Sequence, residues 1–216
     1  MLLRHALLLL PVIITSAAFA ADTAQTPLET VIVTATRQAT DGASLGQAWV
    51  DLDADAVEAV DAQHSNQLFN RVSGAWVSRG NGQESLISLR SPVLTGAGAC
   101  GAFFTAEDGI NLRAPGFCNV NQLFDANLLQ AGSVEVLKGP ATVVFGSNAQ
   151  HGIINVLTRS VSETPNTVSV EAGSRDYYRL SASGALDSVA LAAQSSRHGG
   201  YQDAPGYGAA EGHAAP

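Results

Sequence analysis

Charge is scarce in this chain. Only 14% of its 216 residues are Asp, Glu, Lys or Arg, and Lys+Arg 11 stand against Asp+Glu 19, for a formal net charge of −8. Phosphate recognition needs grouped Lys and Arg, and no such group occurs, which argues against a nucleic-acid partner. Cysteine is limited to Cys100 and Cys118, and no His or further Cys stands near them at zinc-type spacing. The signatures of catalysis are missing as well. There is no G-x-S-x-G and no H-E-x-x-H, and His64, His151, His198 and His213 share no ligand spacing. Gly96-Ala97-Gly98-Ala99-Cys100-Gly101 fits G-x-G-x-x-G, but the strand before it would be Val93 to Thr95 and Asp108-Gly109 would break any helix after it. The sequence therefore points to no enzyme activity, no resident cofactor and no metal. Long apolar runs are absent beyond the N-terminus, which excludes a later membrane-spanning helix and leaves a soluble or a β-type membrane protein.

What is present begins with Met1-Leu2-Leu3-Arg4-His5, an apolar run from Ala6 to Ile14, and Ala18-Phe19-Ala20. This is the order of a secretory signal peptide over residues 1–20, cleaved most simply between Ala20 and Ala21; the apolar run is well short of the ~20 residues a span requires. Export makes a Cys100–Cys118 disulfide the default in an oxidising compartment, and closing an 18-residue loop is worth about 3 kcal/mol in the chain-entropy model.

Residues 21–47 read as a flexible arm, broken by Leu28 to Arg37, a β-branched run of high strand propensity. Gln38 to Gln47 is polar, Gly-containing and expected to be mobile. Asp53–Val60 and Ser65–Val72 are expected as short helices, the second capped by Ser65, with Leu68, Phe69 and Val72 on a core face and Gly74 as its stop. Strands are expected at Ala75–Val77, at Ser85–Arg90, where polar and apolar residues alternate, and at Ala102–Thr105, which Asp108-Gly109 turns back onto Ile110–Leu112. Asn121–Leu129 is a further helix candidate. Val134–Leu137 and Ile153–Leu157 are strands on either side of two turns, Lys138-Gly139-Pro140 and Gly146-Ser147-Asn148. From Thr167 the pattern changes to alternating segments of about ten residues with brief turns at Ser174-Arg175-Asp176 and Leu186-Asp187, the sequence form of transmembrane β-barrel strands. Residues 199–216 suggest no regular structure.

The order of these features resembles the plug domain of TonB-dependent outer-membrane receptors. The resemblance runs from Glu29 to Arg159: Glu29-Thr30-Val31-Ile32-Val33-Thr34-Ala35, then Val72-Ser73-Gly74-Ala75-Trp76-Val77, Ile87-Ser88-Leu89-Arg90, Asp108-Gly109, and most specifically Val134–Thr158. The sequence departs from the family at His151 and Ser91, where Gly is usual, which puts the local turn geometry there in question. The implied fold is an α+β plug over residues 48–159, a small mixed β-sheet with short helices and long loops, followed at 160–198 by the start of an antiparallel transmembrane β-barrel that is incomplete here.

The resemblance also implies roles. Glu29, Thr30, Val31, Ile32, Val33, Thr34 and Ala35 would be the TonB box, an extended segment that adds as a strand to TonB on the periplasmic side. The plainer reading of the same residues is a strand of the domain's own sheet. Arg90 and Lys138 would latch the plug to acidic groups of the barrel wall. Arg79, Asn81, Arg113 and Phe117, on loops toward the outer face, would contact a small ligand such as a ferric siderophore, for which Arg forks and aromatic faces are suited. Cys100 and Cys118 would tie two of those loops. The implied protein is an outer-membrane receptor whose plug gates energy-coupled uptake. The alternative is a soluble periplasmic binding or interaction module of plug type. The 57 residues after Arg159 suffice for three or four barrel strands, so a longer receptor is expected.

Overall fold

The computed structural model describes residues 32–80, 82–91, 103–112, 126–146, 149–199 and 207–215. Two short strands, β1 (Ile32–Val33) and β2 (Thr40–Asp41), pair antiparallel and lead through a 3-10 turn into β3 (Ala48–Asp53). The stretch before Gln47, expected to be mobile, is thus folded. Its short turns pin it, with Arg37 at φ 64° and the Asp41 carboxylate accepting from Ala43 N at 2.9 Å.

Asp53 caps α1 (Ala54–Val60), accepting from Ala56 N at 2.8 Å. Next comes α2 (Ser65–Phe69), whose cap is His64 rather than Ser65. The imidazole accepts from Asn66 N, and Gln67 reaches back to the His64 amide, closing a capping box around a cap one residue earlier than expected. This helix stops at Phe69, three residues short of the expected end, yet Val72 is still buried beside Leu68 and Phe69. The hairpin β4 (Ala75–Arg79) and β5 (Ser85–Leu89) follows, with Val77, Ile87 and Leu89 turned inward.

Then β6 (Phe103–Glu107) and β7 (Ile110–Asn111) meet at Asp108-Gly109, where both residues take the positive φ that a type I′ turn requires. Of the helix expected at Asn121–Leu129, residues 121–125 lie outside the described residues, Ala126 and Asn127 are not helical, and a 3-10 turn covers Leu128–Gln130. β8 (Ala131–Lys138) and β9 (Gly152–Thr158) bracket a one-turn helix, α3 (Thr142–Phe145), which the sequence did not reveal. His151 tolerates the family's Gly position because the chain there has no positive φ; the strained backbone falls on Gly152.

Strands β3-β8-β9-β6-β7 form one mixed sheet, parallel only at β6–β9. Alternation along β8 sends its apolar residues to both faces, and its second half is buried throughout. Val134 and Val136 face a core with Phe69, Leu68, Val57, Ile154 and Val156, whereas Leu137 faces a second core with Ile153, Phe104, Ala106 and Val33. Both faces of the sheet are covered, which continuous apolar runs require.

Strands β10 (Thr167–Gly173), β11 (Tyr177–Leu186), β12 (Val189–His198) and β13 (Tyr207–Ala215) form a separate antiparallel meander. β13 lies where no regular structure was expected. Its Gly and Ala residues carry little strand propensity, and pairing with β12 supplies what the side chains do not. One face of the meander presents Val168, Val170, Tyr178, Leu180, Leu186, Val189 and Leu191 outward. The other carries Ser169, Glu171, Arg179, Ser181 and Gln194. Tyr178 and Arg197 pair at one end of the apolar face, where a band bordered by an amphipathic row is the pattern of a barrel wall.

Candidate coupling site

The β-branched N-terminal run lies on the sheet face it helps to cover. Val33 and Ala35 are each 1% exposed and belong to the core beside Leu137, Ile153 and Phe104. Between them, Thr34 meets Glu135 in the middle of β8, on the same phase of that strand as Leu137. The Glu135 carboxylate accepts from Thr34 N at 2.7 Å and lies 3.1 and 3.0 Å from Thr34 Oγ1. Burying a carboxylate is costly unless it is hydrogen-bonded, and Glu135 is 2% exposed. Here the anion and the segment satisfy each other. Farther along, the Arg37 guanidinium sits 4.8 Å above the Phe145 ring, joining the segment to α3. Glu29, Thr30 and Val31 lie outside the described residues.

Asp51 stands directly across the ladder from Glu135. Its Oδ1 is buried without a hydrogen-bond partner, and burial first, then the Glu135 charge, hold its carboxyl above the ordinary carboxylate value of 3.8. The folded protein therefore binds a proton at Asp51 to higher pH than the unfolded chain does. Ionisation of Asp51 removes stability as pH rises from the unfolded value through the folded one. Asp51→Asn is expected to flatten that dependence and to leave stability at neutral pH unchanged or raised by about 1 kcal/mol. Denaturant midpoints of both proteins across mildly acidic to neutral pH would check this; a loss of stability at neutral pH would contradict it.

The expected latch residues sit close together, Lys138 at the end of β8 and Arg90 just after β5. Lys138 is 5% exposed and donates through Nζ to Ser73 O at 2.8 Å; burial first, and Arg90 second, hold its ammonium below the usual lysine range. Arg90 takes a positive φ of 52°, donates its amide to Gly74 O at 2.8 Å and lies over Gly74. Of the expected ligand contacts, Arg79 ends β4, exposed and close enough to His64 to help depress the imidazole's pKa, after burial. Asn81, Arg113, Phe117, Cys100, Cys118 and Gly96–Gly101 lie outside the described residues.

The family model of the TonB-dependent receptor plug domain matches residues 42–153, just over half of the chain. The chain belongs to the TonB-dependent receptor family. The pesticin receptor of Yersinia pestis is 32% identical over 164 residues, 74% of this chain and 23% of that protein. The vitamin B12 transporter BtuB of Vibrio cholerae is 28% identical over 158 residues, 72% of this chain and 25% of the relative. The chain thus spans about a quarter of the length of these curated relatives. The crystal structure of the ferric yersiniabactin uptake receptor FyuA from Yersinia pestis superimposes with a TM-score of 0.59 at 23% identity, covering 78% of this chain and 28% of that one. FpvA, the pyoverdine outer membrane receptor of Pseudomonas aeruginosa PAO1, gives 0.55 at 21% identity, with 79% and 24% covered.

Within this TonB-dependent receptor, the mixed sheet with its short helices is the plug, and β10–β13 are barrel strands in a sheet that does not close. Sequence reasoning missed the residues that join the two. Ion pairs join Arg159 to Glu58, Arg179 to Asp61 and Arg179 to Glu171, and the first two link α1 to the plug exit and to the barrel strand β11. A signal for Arg179 existed: it is the one charged residue of its strand, and it stands on the polar phase opposite Glu171.

Proposed function

We propose that this chain carries the plug and first barrel strands of an outer-membrane receptor that takes up a small, scarce ligand by engaging TonB through residues 29–35. The supporting observation is the state of that segment. Ile32–Val33 pairs with only the two residues of β2, and Val33 to Ala35 lie on the face of the plug sheet, outside its ladders. Such a segment can leave without unpairing the central sheet and then offer its backbone to a partner's sheet edge. The apolar outer face of β10–β12 supports placement in the outer membrane.

Relatives with related plugs are described as receptors for ferric yersiniabactin and pyoverdine and as a transporter of vitamin B12. A ferric siderophore is the ligand class this reading adopts, met by Arg79, Asn81, Arg113 and Phe117, with Cys100 and Cys118 bridging the loops and Arg90 facing the barrel wall; Lys138, buried against Ser73 O, is left out of the latch.

Val33→Pro tests the coupling step, since it removes a backbone donor and fixes φ. Capture of this chain by the periplasmic domain of TonB is expected to weaken about tenfold or more. A peptide covering residues 25–38 should lose affinity in parallel, which separates strand pairing from changes in docking. Unaltered capture of both would remove strand addition at this position.

A further inference from the structure

Helix α1 carries anions at both ends: Asp53 and Asp55 suit its N-terminus, but two more stand at its C-terminus. Glu58 lies in its last turns and Asp61 is its C-cap, where the carbonyl end of the helix repels anions, and there is no basic residue in the last turn to offset them. Asp61 also adopts the left-handed conformation, at φ 41° and ψ 56°, which costs a residue with a Cβ. The offset comes from outside the helix. Arg159, where the chain leaves β9, places Nη2 3.4 Å from Glu58 Oε2 and donates through Nε to Ala131 O at 3.1 Å. Arg179, on the inward phase of β11, donates to Asp61 Oδ1 through Nη2 and to Ala62 O through Nη1 at 3.4 Å.

The Arg179 side chain is 9% exposed, far less than Asp61 at 64%, so the cation is the fixed partner. Glu171 fixes it: across the ladder, its Oε1 accepts from Arg179 Nε at 2.8 Å and from Nη2, while Oε2 accepts from the Tyr177 hydroxyl at 3.1 Å. A guanidinium held by one carboxylate of its own sheet still has donors in a rigid fork for a second partner. That partner is the end of a plug helix.

We infer that Arg179 is a positioning residue of the plug: pre-aimed by Glu171 and Tyr177, it grips the C-terminus of α1 and makes that helix the plug element anchored to the barrel wall. This rests on the receptor reading for its use, though not for its measurement. Coupling through residues 29–35 then acts on the plug against a fixed point at Asp61.

Hydrogen exchange of the chain in detergent micelles, without TonB, tests the grip. Arg179→Met is expected to speed exchange of the α1 amides about tenfold or more, as loss of a charge-assisted pair should, with β8 and β9 unchanged. Asp61→Gly relieves the left-handed strain while removing the carboxylate. Its α1 exchange should respond far less to Arg179→Met, because only the 3.4 Å contact to Ala62 O is left to lose. Arg179→Lys, which keeps the charge without the fork, should fall between wild type and Arg179→Met. Unchanged α1 exchange in Arg179→Met, equal acceleration in β8 and β9, or a full further response in the double variant would each overturn the assignment. If TonB capture fails its own test while these α1 effects appear, the receptor reading falls and the grip stands; the reverse pattern removes the grip alone.

Discussion

Replacing Glu135 with alanine is expected to release Thr34 and raise the exchange rate of its amide about a hundredfold. Hydrogen bonds to a charged acceptor contribute about 1.5–3 kcal/mol each, and about 1.4 kcal/mol corresponds to a factor of ten. The Thr34 amide and hydroxyl both depend on this one carboxylate. Glu135→Gln keeps an acceptor without the charge and should give about tenfold. Global stability should fall by less than the local effect, because removing Glu135 also relieves Asp51 of a neighbouring negative charge. That asymmetry is diagnostic. Amide exchange at residues 33–35 should accelerate while the denaturant midpoint barely moves, and capture by the TonB domain should tighten as the cost of undocking disappears. Unchanged exchange at Thr34 in both variants would mean that Val33 and Ala35, not Glu135, hold the segment.

Gly152→Ala is expected to destabilise the chain by about 3 kcal/mol, the upper end of the range for overpacking. A Cβ there would lie 2.5 Å from Leu137 O and 2.8 Å from Leu89 Cδ1. Leucine can rotate, but the carbonyl cannot retreat without opening the β8–β9 ladder, in which Lys138 pairs with Gly152 and Leu137 with Ile153. Gly109→Ala serves as the control. Nothing lies within 4 Å of a Cβ at that site, so only its positive φ of 76° opposes the change, at about 1–2 kcal/mol. Denaturant unfolding of the two variants should separate by more than 1 kcal/mol, a large step against total stabilities of about 5–15 kcal/mol. Equal losses would show that conformational strain, not the clash with Leu137, dominates at Gly152.

The parts of this fold that were legible in sequence are those determined by neighbours a few residues away. Alternation located β5, β10 and β11, Asp108-Gly109 located the β6–β7 turn, and the paired apolar runs located β8 and β9 within three residues at either end. What escaped depends on distant partners. Nothing between Thr30 and Gln47 announces that Thr34 will meet a carboxylate in β8, and the polar residues that suggested mobility are those that build tight turns. β13 is a strand because β12 offers it a ladder. The cap of α2 was misassigned for a different reason: a histidine nitrogen can accept an amide proton as a serine oxygen does, and His64 was the residue in extended geometry.

Resemblance singled out the N-terminal segment for a role and hardly anything at the junction. Val33 and Lys138 stood out because they fall in motifs. Arg179 did not, since its importance comes from Glu171 across one ladder and Asp61 in another part of the chain.

That distance has a bearing on how the molecule assembles. Arg179 follows Asp61 by 118 positions, and Arg159 follows Glu58 by 101. A seven-residue helix is too short to persist alone in water, and this one carries uncompensated anions at its carbonyl end. As the chain is made from its N-terminus, α1 appears long before either arginine exists to steady it. Packing of Val57 into the plug core needs neither arginine, but the pair at Asp61 can form only once β11 is in place, so the last turn of α1 is the part of the plug that depends on the wall.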